Sequence, residues 1–96
     1  MGIRAELHKR RVEILELAER YGANNLRLFG SVARGDDTDN SDVDILIVLE
    51  PGRSLMDHAA LKVELEDLLG RSVDIATESG LKSKFRERIL REAVTL

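Results

Sequence analysis

Aspartates form the densest group of chemically active side chains in this sequence. Five of the eight fall between positions 36 and 44, and Asp42 and Asp44 introduce the most hydrophobic segment, residues 43–49. Alternation along a strand predicts that Asp42 and Asp44 share one face, where two carboxylates repel each other unless a cation lies between them. Carboxylate oxygens alone favour magnesium or manganese over zinc. The alternative interpretation of the pair is a solvated strand end.

A third carboxylate, Asp74, lies between Val73 and Ile75 in a short apolar segment. If this segment is a strand beside residues 43–49, Asp74 joins the first two aspartates. Three carboxylates on two strands could hold two metal ions about 4 Å apart, the arrangement that clamps an in-line displacement at phosphorus. Taken alone, an aspartate such as Asp74 is more often a surface residue at a strand end, and the joint occurrence of the three carboxylates is what favours a metal site.

Gly30 and Ser31 form a candidate phosphate-binding turn between a short strand and the start of a helix. Such a turn presents backbone N–H groups and a hydroxyl to an anion, and Gly30 permits a close approach of the backbone. Arg34 could add positive charge to a nucleotide site, or could instead pair with a nearby aspartate. A Gly-Ser pair alone is an ordinary turn in most proteins.

The elements that must position these residues follow from hydrophobic periodicity and turn signals. Apolar residues at helical spacing predict a first helix, and β-branched runs predict the strands. Ser54 with Asp57 predicts the start of the second long helix. The predicted elements are a helix over 3–20, strands over 26–29 and 43–49, a helix over 54–69, a strand over 72–77 and a helix over 81–94. This order predicts an α/β (α+β) fold, with a small mixed sheet of three to four strands flanked by helices.

The composition describes one globular domain, expected to span residues 1–96. The chain is 43% hydrophobic and 34% charged, which argues against a disordered tail, and it has no cysteine for disulfides or thiolate metal sites. A net charge of −3 and few aromatic residues argue against direct nucleic-acid binding. No apolar run approaches the roughly 18 residues of a membrane span, so we expect no membrane segment. Because the chain has no cysteine, we expect it in the reducing cytoplasm.

The predicted helix over 54–69 carries two apolar stripes instead of one. The first consists of Leu61, Leu65 and Leu68, and the second of Met56, Ala59, Ala60 and Val63. Either the helix is sandwiched inside this domain, or a partner protein covers its second stripe.

The spacing of the candidate site residues resembles the signature of DNA polymerase beta-type nucleotidyltransferases. Gly30-Ser31, ten intervening residues and then Asp42-Val43-Asp44 carry this resemblance. The longer string GSVARGDDTDNSDVDILI is similar to that of the minimal nucleotidyltransferase (MNT) domains, whose size and element order the whole chain shares. The resemblance implies the nucleotidyltransferase fold and a reaction that transfers AMP from ATP to an acceptor hydroxyl, with release of pyrophosphate.

The same resemblance implies a role for each site residue. Asp42 and Asp44 would ligate two magnesium ions, with manganese as a possible substitute, and Asp74 would complete the catalytic metal site. Gly30 and Ser31 would hold the triphosphate of the nucleotide.

The resemblance further implies a protein partner. MNT proteins typically act as antitoxins that adenylylate a tyrosine on a HEPN-domain toxin, an RNase, so we expect a HEPN partner in a hetero-complex or oligomer. One alternative is an antitoxin that neutralises its toxin by binding alone, with a vestigial nucleotide site. The other is a small-molecule adenylyltransferase, which the absence of a second substrate-binding domain in 96 residues disfavours.

Overall fold

A four-stranded mixed sheet organises the chain in the computed structural model, which describes residues 2–96. The elements are α1 (Ile3–Lys9), α2 (Arg11–Arg20), β1 (Ala23–Phe29), α3 (Gly30–Arg34), β2 (Val43–Leu49), α4 (Leu55–Leu69), β3 (Val73–Thr77), a 3-10 turn (Glu78–Gly80), α5 (Ser83–Glu92) and β4 (Val94–Thr95). The strand order is β3-β2-β1-β4, in which β2 is parallel to β3 and antiparallel to β1. The predicted α/β class is therefore confirmed, with four strands.

The hydrophobic core lies on one face of this sheet. Val43, Ile45 and Ile47 of β2 are fully buried there, since side chains two apart on a strand share a face. Helices α1, α2, α3 and α4 cover this face with the buried side chains Ile3, Leu7, Ile14, Ala18, Val32, Leu61, Leu65 and Leu69. None of the helices within residues 2–96 is long and apolar enough to cross a bilayer.

The opposite face of the sheet carries both a buried leucine and charged side chains. Asp44 and Leu46 project there from β2, and Leu46 is fully buried although it lies outside the main core cluster. Arg27 of β1 lies opposite Leu46 and forms an ion pair with Glu78, which follows β3, so this pair spans β2. Helix α5 contributes no buried residue.

Local sequence signals predict β2 and α4 correctly. The strand predicted over 43–49 is observed with those bounds, and α4 begins with the capping box expected from Ser54 and Asp57. Gly70 ends α4 in the left-handed conformation, with φ of 65°. The strand predicted over 72–77 begins one residue later, at Val73.

The prediction of a single helix over residues 3–20 is wrong, because Arg10 divides this segment into α1 and α2. The backbone of Arg10 has φ of −100° and ψ of 17°, and its N–H is shared between the carbonyls of Glu6 and Leu7 at 3.1 and 3.2 Å. Such shared bonds are common at helix ends. The division lets α1 contact α3 while α2 packs on β1 and α4. Tertiary packing sets this boundary, since residues 3–20 contain no proline or glycine.

Strand β1 is longer than the predicted 26–29. The sequence pattern does not indicate its first half, because a β-bulge lies there. It begins at Ala23, and its register with β2 shifts between Asn24 and Arg27. Asn25 has φ of 52°, in the left-handed region that asparagine tolerates better than most residues. The bulge breaks the alternation that would mark this stretch as a strand.

The helix predicted over 81–94 is shorter in the structure, and β4 takes its last residues. Helix α5 spans Ser83–Glu92, and Val94 pairs instead with Leu28 of β1. A two-residue strand at a sheet edge has no periodicity of its own, so this part of the fold depends on the long-range pairing.

Candidate active site

Strand β2 carries the central carboxylate of the candidate site. Asp44 is its second residue and is half-buried, while Asp42 lies just before the strand and is exposed. The buried hydrophobic side chains on either side of Asp44 anchor the strand, and so hold this carboxylate at a fixed place near the strand's beginning.

Asp44 and Asp74 lie directly opposite each other in the parallel pair of β2 and β3. Neighbouring strands are about 4.8 Å apart, so their side chains share one face and are adjacent. The structure thus brings together the two strands that the sequence related only conditionally. Asp74 is 63% exposed and its nearest cation is Lys62, whose Nζ is 3.9 Å from Oδ1.

The surroundings of Asp44 disfavour its ionised form. Burial, and then the negative charges of Asp74, Asp42 and Glu92, raise the pKa of Asp44 from 3.8 to about 6, while Arg34 acts in the opposite direction. The protein therefore supplies too little positive charge at this position. A cation bound among these carboxylates would lower the pKa of Asp44 and remove the repulsion.

Gly30 packs directly beneath the Asp44 carboxylate. A Cβ atom at Gly30 would lie 2.1 Å from Oδ2 of Asp44, and the φ of Gly30 is +71°, so both space and backbone conformation require glycine. The candidate phosphate-binding turn and the candidate metal ligand are thus in direct contact.

Ser31 follows Gly30 in the short helix α3, whose Val32 is anchored in the core. The Ser31 side chain is partly exposed, and its hydroxyl forms no hydrogen bond with the rest of residues 2–96. Its hydroxyl is therefore available to an incoming anion.

Arg34 is held by two carboxylates. Its Nη1 is 2.7 Å from Oε1 of Glu92, and its Nε is 3.2 Å from Oδ2 of Asp36. The pairing with an aspartate that the sequence offered as an alternative is therefore observed, and a role in nucleotide binding stays a prediction. The sequence does not point to Glu92, which lies 58 positions from Arg34 in a helix of mixed charge.

The carboxylates of this site suit an open magnesium site, completed by water and substrate, better than a closed site formed by protein ligands alone. Among residues 2–96, no three Asp, Glu or His side chains converge closely enough to hold a metal ion by themselves. Magnesium, however, commonly takes one or two carboxylates and completes its shell with water and substrate phosphates. The uncompensated charge at Asp44 fits such a shared site, so Asp42, Asp44 and Asp74 remain the predicted ligands.

Substitution of Gly30 by alanine tests the contact between the turn and the carboxylate. The left-handed backbone should cost about 1–2 kcal/mol of unfolding free energy, measured by urea denaturation. Gly35→Ala is the matched control, since Gly35 has φ of +80° but a Cβ there meets no atom within 4 Å. Calorimetry should show weaker Mn²⁺ binding for Gly30→Ala alone, because only that Cβ displaces Asp44. Equal Mn²⁺ affinities would contradict the contact.

Substitution of Asp44 by asparagine should stabilise the metal-free protein at pH 8. The folded-state pKa of Asp44, about 6, exceeds 3.8, so protonation favours folding below pH 4 and this contribution is lost as the pH rises through 6. Asparagine avoids the loss, so in EDTA the variant should melt about 5 °C higher at pH 8, with a smaller gain at pH 5.

The control for this prediction is Asp67→Asn, which removes an exposed aspartate of α4. Its melting temperature should not exceed that of wild type at pH 5 or at pH 8. An Asp44→Asn variant that is less stable than wild type in EDTA at pH 8 would refute the proposed charge imbalance.

Comparisons with known proteins agree with this geometry. Residues 12–96 match the model of the nucleotidyltransferase domain family. Protein adenylyltransferase MntA of Thermococcus cleftensis is 44% identical over 79 residues, which cover 82% of this chain and 80% of that protein.

Two solved structures share the fold. One, provisionally designated a minimal nucleotidyltransferase, has a TM-score of 0.88 at 50% identity and covers 100% of this chain and 97% of that one. The other, a toxin–antitoxin with AMP-PNP, has a TM-score of 0.75 at 20% identity and covers 88% of this chain and 69% of that one, which shows the fold alone. Because the family model spans most of the chain and the site has the expected elements, this chain is a nucleotidyltransferase and belongs to the nucleotidyltransferase domain family.

Proposed function

We propose that this chain is a magnesium-dependent protein adenylyltransferase that transfers AMP from ATP to a tyrosine of a HEPN-domain RNase toxin and so acts as its antitoxin. The observation that carries the proposal is the in-register pair of Asp44 and Asp74 beside the Gly30-Ser31 turn. Carboxylates for a divalent ion and the Ser31 hydroxyl for phosphate lie together there, as transfer of a nucleotidyl group requires.

Each residue of the site has a distinct part in this reaction. Asp42 and Asp44 would hold magnesium, whose charge would neutralise the triphosphate and the negative charge on the oxygens around the α-phosphorus. Ser31 donates to the phosphate tail. Asp74, the third ligand, lies on the exposed edge strand, where it can accept a hydrogen bond from the attacking hydroxyl and help to orient it. The hydroxyl proton passes through Asp74 to solvent, and the acceptor oxygen bonds to the α-phosphorus. The bond between the α-phosphorus and the oxygen that bridges to the β-phosphorus breaks, and pyrophosphate leaves.

The kinds of nucleotide and acceptor are proposed from similarity. The MntA relative is named as a protein adenylyltransferase, and the structural neighbour with AMP-PNP is a toxin–antitoxin. A protein acceptor also agrees with the open edge of β3, where Asp74 is reached from solvent. The tyrosine and the HEPN identity of the toxin rest on the resemblance of the GSVARGDDTDNSDVDILI string to MNT domains.

The exposed stripe of α4 is the surface that we propose for the partner. Leu61, Leu65 and Leu69 face the core, whereas Leu55 and Met56 are about 80% exposed and Val63 is 55% exposed. These exposed residues, together with Tyr21, Ala59, Ala60 and Glu64, line an open cavity of about 500 Å³. A contiguous apolar surface of this kind is typical of a protein–protein interface.

The double variant Asp42→Asn/Asp44→Asn tests catalysis. Transfer of radiolabelled AMP from ATP to the partner should fall at least about a hundredfold, because the groups that organise charge in the transition state are lost. EDTA should have the same effect on the wild type. The matched control, Asp37→Asn/Asp39→Asn, removes two charges from the preceding loop and should retain transfer.

Cell protection separates catalysis from neutralisation by binding alone. If the Asp42→Asn/Asp44→Asn variant no longer transfers AMP but still protects cells from the toxin, the chain is a binding antitoxin. If it transfers AMP as well as wild type, the assigned site is wrong. Labelling of a small molecule in place of the partner would identify a small-molecule adenylyltransferase.

Met56→Glu should disrupt the complex with the partner. A charge at the centre of the exposed stripe would be desolvated in the interface, so the Kd for the partner should rise at least about tenfold. Val12→Glu is the control, since Val12 is 66% exposed on α2 and lies outside the stripe. Calorimetry measures both affinities, and an unchanged Kd for Met56→Glu would exclude this surface.

A further inference from the structure

The last residue of α5 joins the phosphate-binding turn from a distant part of the chain. Oε2 of Glu92 accepts a hydrogen bond from the backbone N–H of Gly30 at 2.9 Å, and Oε1 accepts one from Nη1 of Arg34 at 2.7 Å. One carboxylate therefore bridges both ends of α3, with Ser31 between them.

This contact differs from an ordinary surface ion pair. The Glu92 side chain is 16% exposed, whereas Glu87 and Arg91, which pair on the same helix, are 87% and 73% exposed. Burial by itself would raise the pKa of Glu92, but the hydrogen bonds from Arg34 and Gly30 outweigh it and lower that pKa. The carboxylate is thus held in the ionised form by two donors.

Glu92 is also fixed from its own backbone. Helix α5 ends at this residue, and two positions later Val94 pairs with Leu28 of β1, the strand that leads directly into Gly30. The same strand therefore anchors both partners of the contact, which restricts their relative movement.

The position of Gly30 matters because the Asp44 carboxylate lies against it. Glu92 holds the N–H of Gly30, and the Cα of Gly30 faces Oδ2 of Asp44. We propose that Glu92 is a positioning residue, which fixes the Gly30-Ser31 turn and Arg34 relative to Asp44 so that the turn can receive the triphosphate of a magnesium nucleotide. This inference rests on the proposed function and deepens it.

Electrostatic repulsion alone predicts that Glu92 weakens the binding of a triphosphate, whereas a positioning role predicts that it strengthens this binding. Its carboxylate adds negative charge near Asp44, so on electrostatic grounds its removal should strengthen the binding of a triphosphate. A positioning role predicts weaker binding of the triphosphate when the Glu92 carboxylate is removed. The sign of the change therefore separates the two explanations.

Two variants of Glu92 test the inference in the full chain. Glu92→Gln keeps the shape and removes the charge, whereas Glu92→Asp keeps the charge but is too short to reach both donors. The Kd for ATP with Mg²⁺, measured by calorimetry, should rise about tenfold in both, as is typical when residues that orient a ligand-binding group are lost. Glu87→Gln, on the same helix, is the control and should bind as wild type.

Further readouts distinguish positioning from general destabilisation. Mn²⁺ affinity without nucleotide, and the melting temperature, should change little in Glu92→Asp. In a double-mutant cycle, Arg34→Gln should cost less nucleotide affinity in the Glu92→Gln background than in wild type, because both substitutions break one contact. Fully additive losses would overturn the inference.

The remaining outcomes are equally decisive. Tighter nucleotide binding by Glu92→Gln, with wild-type binding by Glu92→Asp, would show that Glu92 acts through charge and overturn the inference. So would wild-type affinity in both variants. If wild type itself binds no magnesium nucleotide, the proposed function fails, which is distinct from failure of the role assigned to Glu92.

Discussion

An uncompensated negative charge is the constraint on which this structure depends. Asp44 is embedded near the start of the most hydrophobic strand, opposite Asp74 and above Gly30, and the protein supplies few cations to balance it. The free energy gained by burying the apolar side chains of β2 offsets the cost of holding this carboxylate in place. Functional sites commonly retain such strain because a bound ligand relieves it.

The two faces of the sheet separate the residues of the main hydrophobic core from those of the candidate site. Val43, Ile45 and Ile47 point into the core beneath the helices, and Asp44 points to the other face. Alternation along one strand therefore places both functions within seven residues. Because the two sets share only a backbone, the chemistry of the site can change without a cavity opening in the core.

Local patterns predict the parts of the molecule that local forces decide. The apolar run of β2, the capping box of α4 and the spacing from Gly30 to Asp44 are all readable from neighbouring residues. The pairing of β2 with β3 could be stated only as a condition, because periodicity contains no information on which strands are neighbours. The structure provides that adjacency, and with it the reason why Asp74 belongs beside Asp44.

The features that sequence patterns miss are those created by distant contacts. The division at Arg10 follows from packing against different elements, and the bulge at Asn25 breaks a strand pattern. Strand β4 has two residues and no pattern at all. Glu92 lies among alternating charges, so nothing in its neighbourhood distinguishes it from the solvated Glu87 until the fold brings it to Gly30.

Helix α5 is attached by polar contacts, which leaves space beside Asp44 on the second face of the sheet. A helix with a wide apolar stripe would pack tightly on that face and fill the space beside Asp44. Helix α5 instead buries no residue, and it is tied to the site through Glu92 and to the turn after β3 through Arg86, whose Nη1 donates to the carbonyl of Glu78. Directional hydrogen bonds hold such an element in register at few points without covering the surface between them. In the function that we propose, the helix can therefore orient the Gly30-Ser31 turn while the edge at Asp74 stays open to the acceptor.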